Sequence, residues 1–415
     1  MEREDLDLGA VSAIDSHCHP FAASATVITA DLLRDSIAVS LRGTTPLLNE
    51  TMMLSRIAIG GLAAFLGCDP TYEAVVAARN AAAISDFPGY IDRLFASQQI
   101  GGLLIDPGFP QDPEIDAPEF ASRMPVPVWQ GYRIERFFPA QGSFHGEAGT
   151  PPSQLFGEVL EAFRAELDSQ ARRPGFAFFK SIIAYRTGLS IRPVSDAEGA
   201  AAWSEHRAYG DAAEKTVRDF LFRVACAKAR EHGVPFQLHT GHTSHVNAWP
   251  NVNPILLAPV LGEPAIAATS LVLVHGGYPY CTEAGYLTSV FPNLALDLSL
   301  MIPWASVGIA RRIEQVLEAA PTAKVMYGSD SINLPEMNWL GALVGRRALG
   351  KVLRGFAADG TCTAAEADEI GADILRRNAE RIYGLRERPP LATPVLAGTT
   401  VGTSRPGSPG ERRDA

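Results

Sequence analysis

Cysteine is scarce, and no two cysteines stand at CxxC spacing. The five, at positions 18, 68, 226, 281 and 362, are scattered and odd in number. That excludes the disulfide framework on which small secreted domains rely and points to a reducing compartment. No run reaches the roughly 18 apolar residues of a membrane span. The acidic start, residues 1–9, lacks the basic-then-apolar order of a signal peptide. A soluble, cytoplasmic protein is therefore expected. Positive charge is also in deficit, with 36 Lys and Arg against 46 Asp and Glu and a net charge of −10. Such a balance argues against a general nucleic-acid or anionic-membrane binder. A local arginine can still meet an anionic substrate. Neither GxGxxG nor GxxxxGK[ST] follows an early strand, which weakens the case for an open, doubly wound nucleotide-binding sheet.

What is present is a large apolar fraction, 47% of 415 residues, with 20% charged, enough for a substantial core. Short apolar runs alternate with longer amphipathic ones. Strand-like runs fall at 11–15, 102–106, 126–132, 176–183, 235–239, 271–275, 294–298 and 324–327. Helical spacing marks 31–40, 73–96, 153–170, 211–231, 306–319, 338–352 and 363–383. Strands alternating with helices imply a parallel sheet. Eight of them predict closure into a (β/α)8 TIM-type barrel over residues 1–385. The stretch 16–100 is long for one crossover, so a helical insertion is expected between the first two strands. Residues 386–415 carry five prolines and almost no large apolar side chains, the composition of a flexible tail.

The chemistry lies in where the histidines fall. Of nine, four close strand-like runs: His17 and His19 after the first, His239 after the fifth, His275 after the sixth. Asp330 follows the eighth. In a parallel barrel these ends meet on one face, where the βα loops build active sites. In an extended segment i and i+2 point the same way, so His17 and His19 face one ion while Cys18 turns outward. Neutral imidazoles and a carboxylate suit Zn²⁺, the first expectation, and also Mn²⁺ or Fe²⁺, as one or two ions. The expected ligands are His17, His19, His239 and Asp330.

The motifs resemble those of the amidohydrolase superfamily, in its amidohydrolase-related branch. They are Asp15-Ser16-His17-Cys18-His19-Pro20, Phe178-Phe179-Lys180-Ser181, Gln237-Leu238-His239-Thr240-Gly241-His242, Leu273-Val274-His275-Gly276-Gly277 and Tyr327-Gly328-Ser329-Asp330-Ser331. The likeness spans roughly 11–385. Around Lys180 and His239 it is similar to the subgroup fused to glutamine-synthetase-like domains in nodulin-type proteins. The resemblance implies catalytic roles for Asp330, His275 and Lys180. Asp330 would shuttle a proton, and His275 would meet a second ion or a developing oxyanion. Lys180 is either a carboxylated bridge between two ions or an ammonium beside the substrate.

His242, Arg133, Tyr185 and Arg186 follow strand ends and are candidates for substrate binding, the arginines by forking onto a carboxylate. An ordinary salt bridge is the bland alternative for either arginine. His245 shares the loop of His242. Trp249 and Trp304 either line a pocket or pack a lid. His145, His206 and His232 match no strand end and are expected to be structural. The reading is a metal-dependent hydrolase of a carbon–nitrogen bond in a small molecule, working as a homo-oligomer without nucleic-acid or membrane partners. The alternatives are a non-oxidative decarboxylase of a carboxylated ring and a non-catalytic ligand-binding barrel.

Overall fold

The computed structural model describes residues 8–24, 26–38, 45–109, 115–137, 152–209, 213–242 and 246–392. Eight strands form one parallel sheet in chain order: β1 (Ala13–Cys18), β2 (Ile100–Ile105), β3 (Val128–Arg133), β4 (Phe176–Ser181), β5 (Phe236–His239), β6 (Leu271–Val274), β7 (Leu294–Asp297) and β8 (Val325–Met326). The last strand returns to the first. Ser16 N donates to the Tyr327 carbonyl (3.1 Å), and Asp330 N donates to that of His17 (2.8 Å). All eight expected strands are present, and the sheet closes into a barrel with helices between its strands.

Side chains fill the barrel rather than leaving a pore. Ile14, Leu104, Trp129, Phe178, Val272, Val274 and Met326 meet inside, with Tyr383 and Leu385 beneath them. Phe178 occupies space that Gly131 leaves open: a Cβ on Gly131 would stand 2.1 Å from the Phe178 ring. Burying such a ring stabilises the fold by about 1.5–3 kcal/mol. Below the sheet, residues beyond 385 continue in contact. Trp129 Nε1 donates to the Arg388 carbonyl (2.9 Å), and Leu391 N donates to that of Val128 (2.8 Å). The expected tail thus begins with a stretch fastened to the barrel floor, and 393–415 lie outside the described residues.

Among the described residues, the insertion between β1 and β2 holds five helices: α1 (Ala30–Ile37), α2 (Pro46–Thr51), α3 (Met53–Leu66), α4 (Tyr72–Ser85) and α5 (Phe87–Ser97). The single helix expected over 73–96 is two. Asp86 leaves helical backbone (φ −161°) and its side chain accepts from Gly89 N, capping α5 with Pro88 in the first turn. The insertion is anchored on the helix Pro335–Asp359. Arg79 Nε donates to Glu336 Oε1 (2.7 Å), and so does the Tyr90 hydroxyl (2.7 Å). All three side chains are buried. That helix follows directly on the loop carrying Asp330, so the insertion braces one wall of the barrel mouth.

Candidate metal centre at the barrel mouth

The seam between β1 and β8 brings the first donors together. β1 runs into Pro20 with an irregular register after Asp15. Cys18 turns outward, its thiol toward the Leu104 carbonyl (3.7 Å), while His17 and His19 face the mouth. His19 N donates to the Ser331 carbonyl (2.8 Å). Asp330 sits between these contacts with φ +56°, a left-handed conformation that aspartate tolerates better than most residues. Its Oδ1 lies 3.3 Å from His17 Nε2 and 3.2 Å from His19 Nε2. One donor atom from each of the three residues lies within 4.8 Å of the others.

The protons show what this cluster needs. His19 Nδ1 is 2.8 Å from the Asp106 carbonyl, which can only accept, so Nδ1 carries a hydrogen and Nε2 is the nitrogen turned to the mouth. His17 Nδ1 is buried without a hydrogen-bond partner, and His17 Nε2 lies 3.3 Å from Lys180 Nζ. Burial, and then the charge of Lys180, lower the His17 pKa and favour the neutral ring. Burial works against ionisation of Asp330, but the imidazoles around it outweigh that and hold the carboxyl well below its ordinary range. The Nε2 atoms of His17 and His19 thus face a carboxylate oxygen, and with both rings neutral a cation between them would make that contact attractive. Ligands about 2.1 Å from a tetrahedral ion lie roughly 3.4 Å apart, close to the separations seen here. Two imidazoles and a carboxylate fit a first-row divalent ion.

Lys180, on β4, is buried beside this group. Burial brings its ammonium down to about 8 while Asp106 opposes the shift. Arg133, expected to meet substrate, turns its fork inward: Nε and Nη2 both donate to Asp106 Oδ2, at 3.1 and 2.5 Å. Burial disfavours the Asp106 carboxylate, but Arg133 outweighs it and holds the group well below its usual range. The bland reading of Arg133, a salt bridge, is what the structure shows.

The other wall of the mouth is built differently. His239 Nε2 faces the carbonyl of His242 (2.7 Å), so Nδ1 is left as acceptor. The Tyr185 hydroxyl and His275 Nε2 each lie 2.9 Å from it. Ser299 Oγ sits between His275 Nδ1 (2.9 Å) and Asp297 Oδ1 (2.5 Å). Burial pushes both His239 and His275 far down, so each is neutral. Among the described residues His239 thus stands outside the three-donor group, although its ring contacts that of His275, which in turn contacts His17. Gly241 (φ +73°) makes this wall possible. A Cβ there would lie 2.3 Å from the Tyr278 carbonyl, the group to which His242 N donates.

His242 is half-buried and its ring lies 5.3 Å from that of Trp304. Trp304 and Asp330 both line a cavity of about 30 Å³. Trp249 and Arg186 are exposed. His232 pairs with Asp168 on the outer surface (2.7 Å). His145 and His245 lie outside the described residues.

Asp106, Asp297 and Asp15 are the acidic groups that the sequence reading passed over. Each closes or interrupts an apolar strand run (GLLID, LALD, AID), the same signal that singled out the histidines. Asp15 accepts from Ser329 N (2.8 Å), Ser329 Oγ (2.5 Å) and Asn338 Nδ2 (3.1 Å). Burial pushes it up to about 7 against those bonds.

Known proteins share this architecture. Protein fluG of Emericella nidulans is 29% identical over 347 residues, covering 77% of this chain and 39% of fluG, so the chain spans about two fifths of that curated relative. A protein of Lactobacillus casei ATCC 334, provisionally described as a metal-dependent hydrolase, superposes with a TM-score of 0.73 at 26% identity over 92% of this chain and 97% of its own. A uronate isomerase of Bacillus halodurans C-125 shares the fold, with a TM-score of 0.62 at 14% identity over 92% and 95%. A sequence model described as amidohydrolase matches residues 161–385. That is more than half of the 415 residues, and the chain belongs to the amidohydrolase family.

Proposed function

We propose that the chain is a metal-dependent hydrolase that opens a carbon–nitrogen bond, an amide or cyclic amide, in a small molecule. The observation that carries this reading is Asp330 Oδ1 facing the Nε2 atoms of His17 and His19 at 3.3 and 3.2 Å. These three residues would hold the ion, Zn²⁺ by preference and Mn²⁺ or Fe²⁺ as alternatives. A divalent ion there supplies an acidified water and a Lewis acid for a carbonyl.

The remaining chemistry belongs to the chain. Asp330, ionised and partly open to the mouth, takes a proton from the attacking water and returns it to the leaving nitrogen. Lys180 places a buried positive charge where the carbonyl oxygen becomes negative. His275, held by Ser299 and Asp297, orients His239 and limits water on the far wall. Tyr185 and His242 border the space for the substrate, with Arg186 at its rim. The cytoplasm, where five thiols stay reduced, is the compartment of this reading.

The test is turnover. Protein loaded with Zn²⁺ or Mn²⁺ is given a panel of amides, cyclic amides and aromatic acids, and ammonia, amine and CO₂ are measured. Ammonia or amine release that requires the metal and is lost in Asp330→Asn is the expected result. Metal-dependent CO₂ release without amine release would overturn it in favour of decarboxylation.

A further inference from the structure

Asp330 is held in an unfavourable backbone conformation, and the residue that holds it is two positions before His17. The Asp15 side chain does not enter the mouth. It reaches outward, behind the seam, to Ser329 and to Asn338 on the helix Pro335–Asp359. Ser331 completes the frame: its N donates to Ser329 Oγ (3.0 Å) and its hydroxyl to Asn338 Oδ1 (2.8 Å). Ser329 and Ser331 flank Asp330. All of Asp15, Ser329, Ser331 and Asn338 are buried. A non-glycine residue at φ +56° persists only where its surroundings over-determine it, and here both neighbours are fixed by side chains.

We propose that Asp15 is a positioning residue: by fixing Ser329 and Asn338 it sets the left-handed turn that aims Asp330 Oδ1 between His17 and His19. β1 then defines the centre three times. With His19 just past its end, it supplies two imidazoles, the His17 carbonyl that receives Asp330 N, and the carboxylate that shapes the turn. Asp330 is kept in register with the histidines through one strand, so the two sides of the seam move together. The inference rests on the metal-centre reading above but concerns the backbone that presents Asp330.

Asp15→Asn tests it. The new NH₂ must face a donor, the Ser329 hydroxyl or N–H or the Asn338 amide, whereas Asp15 accepts from all three. Zn²⁺ affinity, measured by competition with a chromophoric chelator, is expected to fall about 10–100-fold, the usual effect of removing a partner that orients a ligand. The double variant Asp15→Asn/Asn338→Asp reverses donor and acceptor across the pair and is expected to recover most of that loss. Crystals of the metal-free variant supply the second readout: Asp330 should leave φ near +56° and its Oδ1 should separate from His17 and His19.

Wild-type Zn²⁺ affinity with Asp330 unmoved in Asp15→Asn would overturn the proposal, as would a lowered Tm with affinity unchanged. If the wild-type chain binds no Zn²⁺, the metal reading falls, and the metal-free crystals alone decide the positioning role. Should Asp15→Asn not fold, Ser329→Ala, which keeps the N–H bond and removes the hydroxyl, carries the same two measurements.

Discussion

The two walls of the barrel mouth hold the same kinds of residue and leave them in different states. On the β4–β6 wall, His239 Nδ1 and His275 Nε2 stand 2.9 Å apart. Their outer nitrogens are engaged by the His242 carbonyl and by Ser299. On the β1–β8 seam, the Nε2 atoms of His17 and His19 face an Asp330 carboxylate oxygen at 3.3 and 3.2 Å. One wall sets two imidazoles against a carboxylate and the other sets two imidazoles against each other. Histidines at equivalent strand ends are therefore not equivalent groups: what binds the second ring nitrogen decides what the first can do.

The sharpest way to break that contrast is to remove one imidazole from each wall. His17→Ala or His19→Ala should abolish retention of the ion, weakening affinity beyond the 10–100-fold that follows loss of a merely orienting partner. His239→Ala should weaken it less, because His239 stands outside the three-donor group of His17, His19 and Asp330. Elemental analysis after gel filtration reads both. Equal losses from the two walls would erase the distinction.

Next in size is Asp330→Asn, which keeps the shape and removes the base. kcat should fall on the order of 10²-fold, the worth of a positioned acid–base. Metal content should fall less than in His17→Ala. An unchanged kcat would show that the proton is handled elsewhere.

Tyr185→Phe perturbs only the β4–β6 wall. Loss of one hydrogen bond to His239 should lower stability by about 0.5–1.5 kcal/mol and leave metal content unchanged, as thermal melts with and without Zn²⁺ would report. Metal loss in this variant would mean that the two walls are coupled.

The smallest effect lies away from both walls and serves as the baseline. Burial opposes ionisation of Asp168, but its bonds from His232 and Lys228 together outweigh it and lower its pKa. A carboxyl depressed in the folded state stabilises above its ordinary value of 3.8, and that contribution disappears as pH falls through the lower, folded value. Asp168→Asn should therefore cost no more than about 1 kcal/mol near neutrality, as a surface pair does. It should cost nothing at strongly acid pH. Denaturant melts against pH would expose a larger or persistent difference.

These contrasts were only partly legible in the sequence. The strands were, because runs such as LVLV and FAFF are buried on both faces of the sheet and need continuous apolar side chains. Strand ends carrying His or Asp then located the mouth. The insertion was legible as helical but not in its parts. The break at Asp86 depends on a cap bond to Gly89. α3 (Met53–Leu66) contains Gly60 and Gly61, which weaken a helical signal. Gly61 stands there because a Cβ would meet the Trp339 ring at 2.8 Å. Nor could the spacing of histidines give their tautomers. The hydrogen on His19 is fixed by a backbone carbonyl, Asp106 O, which any residue type would provide. The fork of Arg133 likewise closes on Asp106, a partner 27 residues away that only the β2–β3 pairing brings near.

Crystals of the Zn²⁺-loaded protein, measured on either side of the zinc absorption edge, test the central claim most directly. The account predicts one anomalous peak per chain within coordinating distance of His17 Nε2, His19 Nε2 and an Asp330 carboxylate oxygen. A peak seated between His239 and His275 and out of reach of His19, or no peak at all in metal-loaded protein, would contradict it.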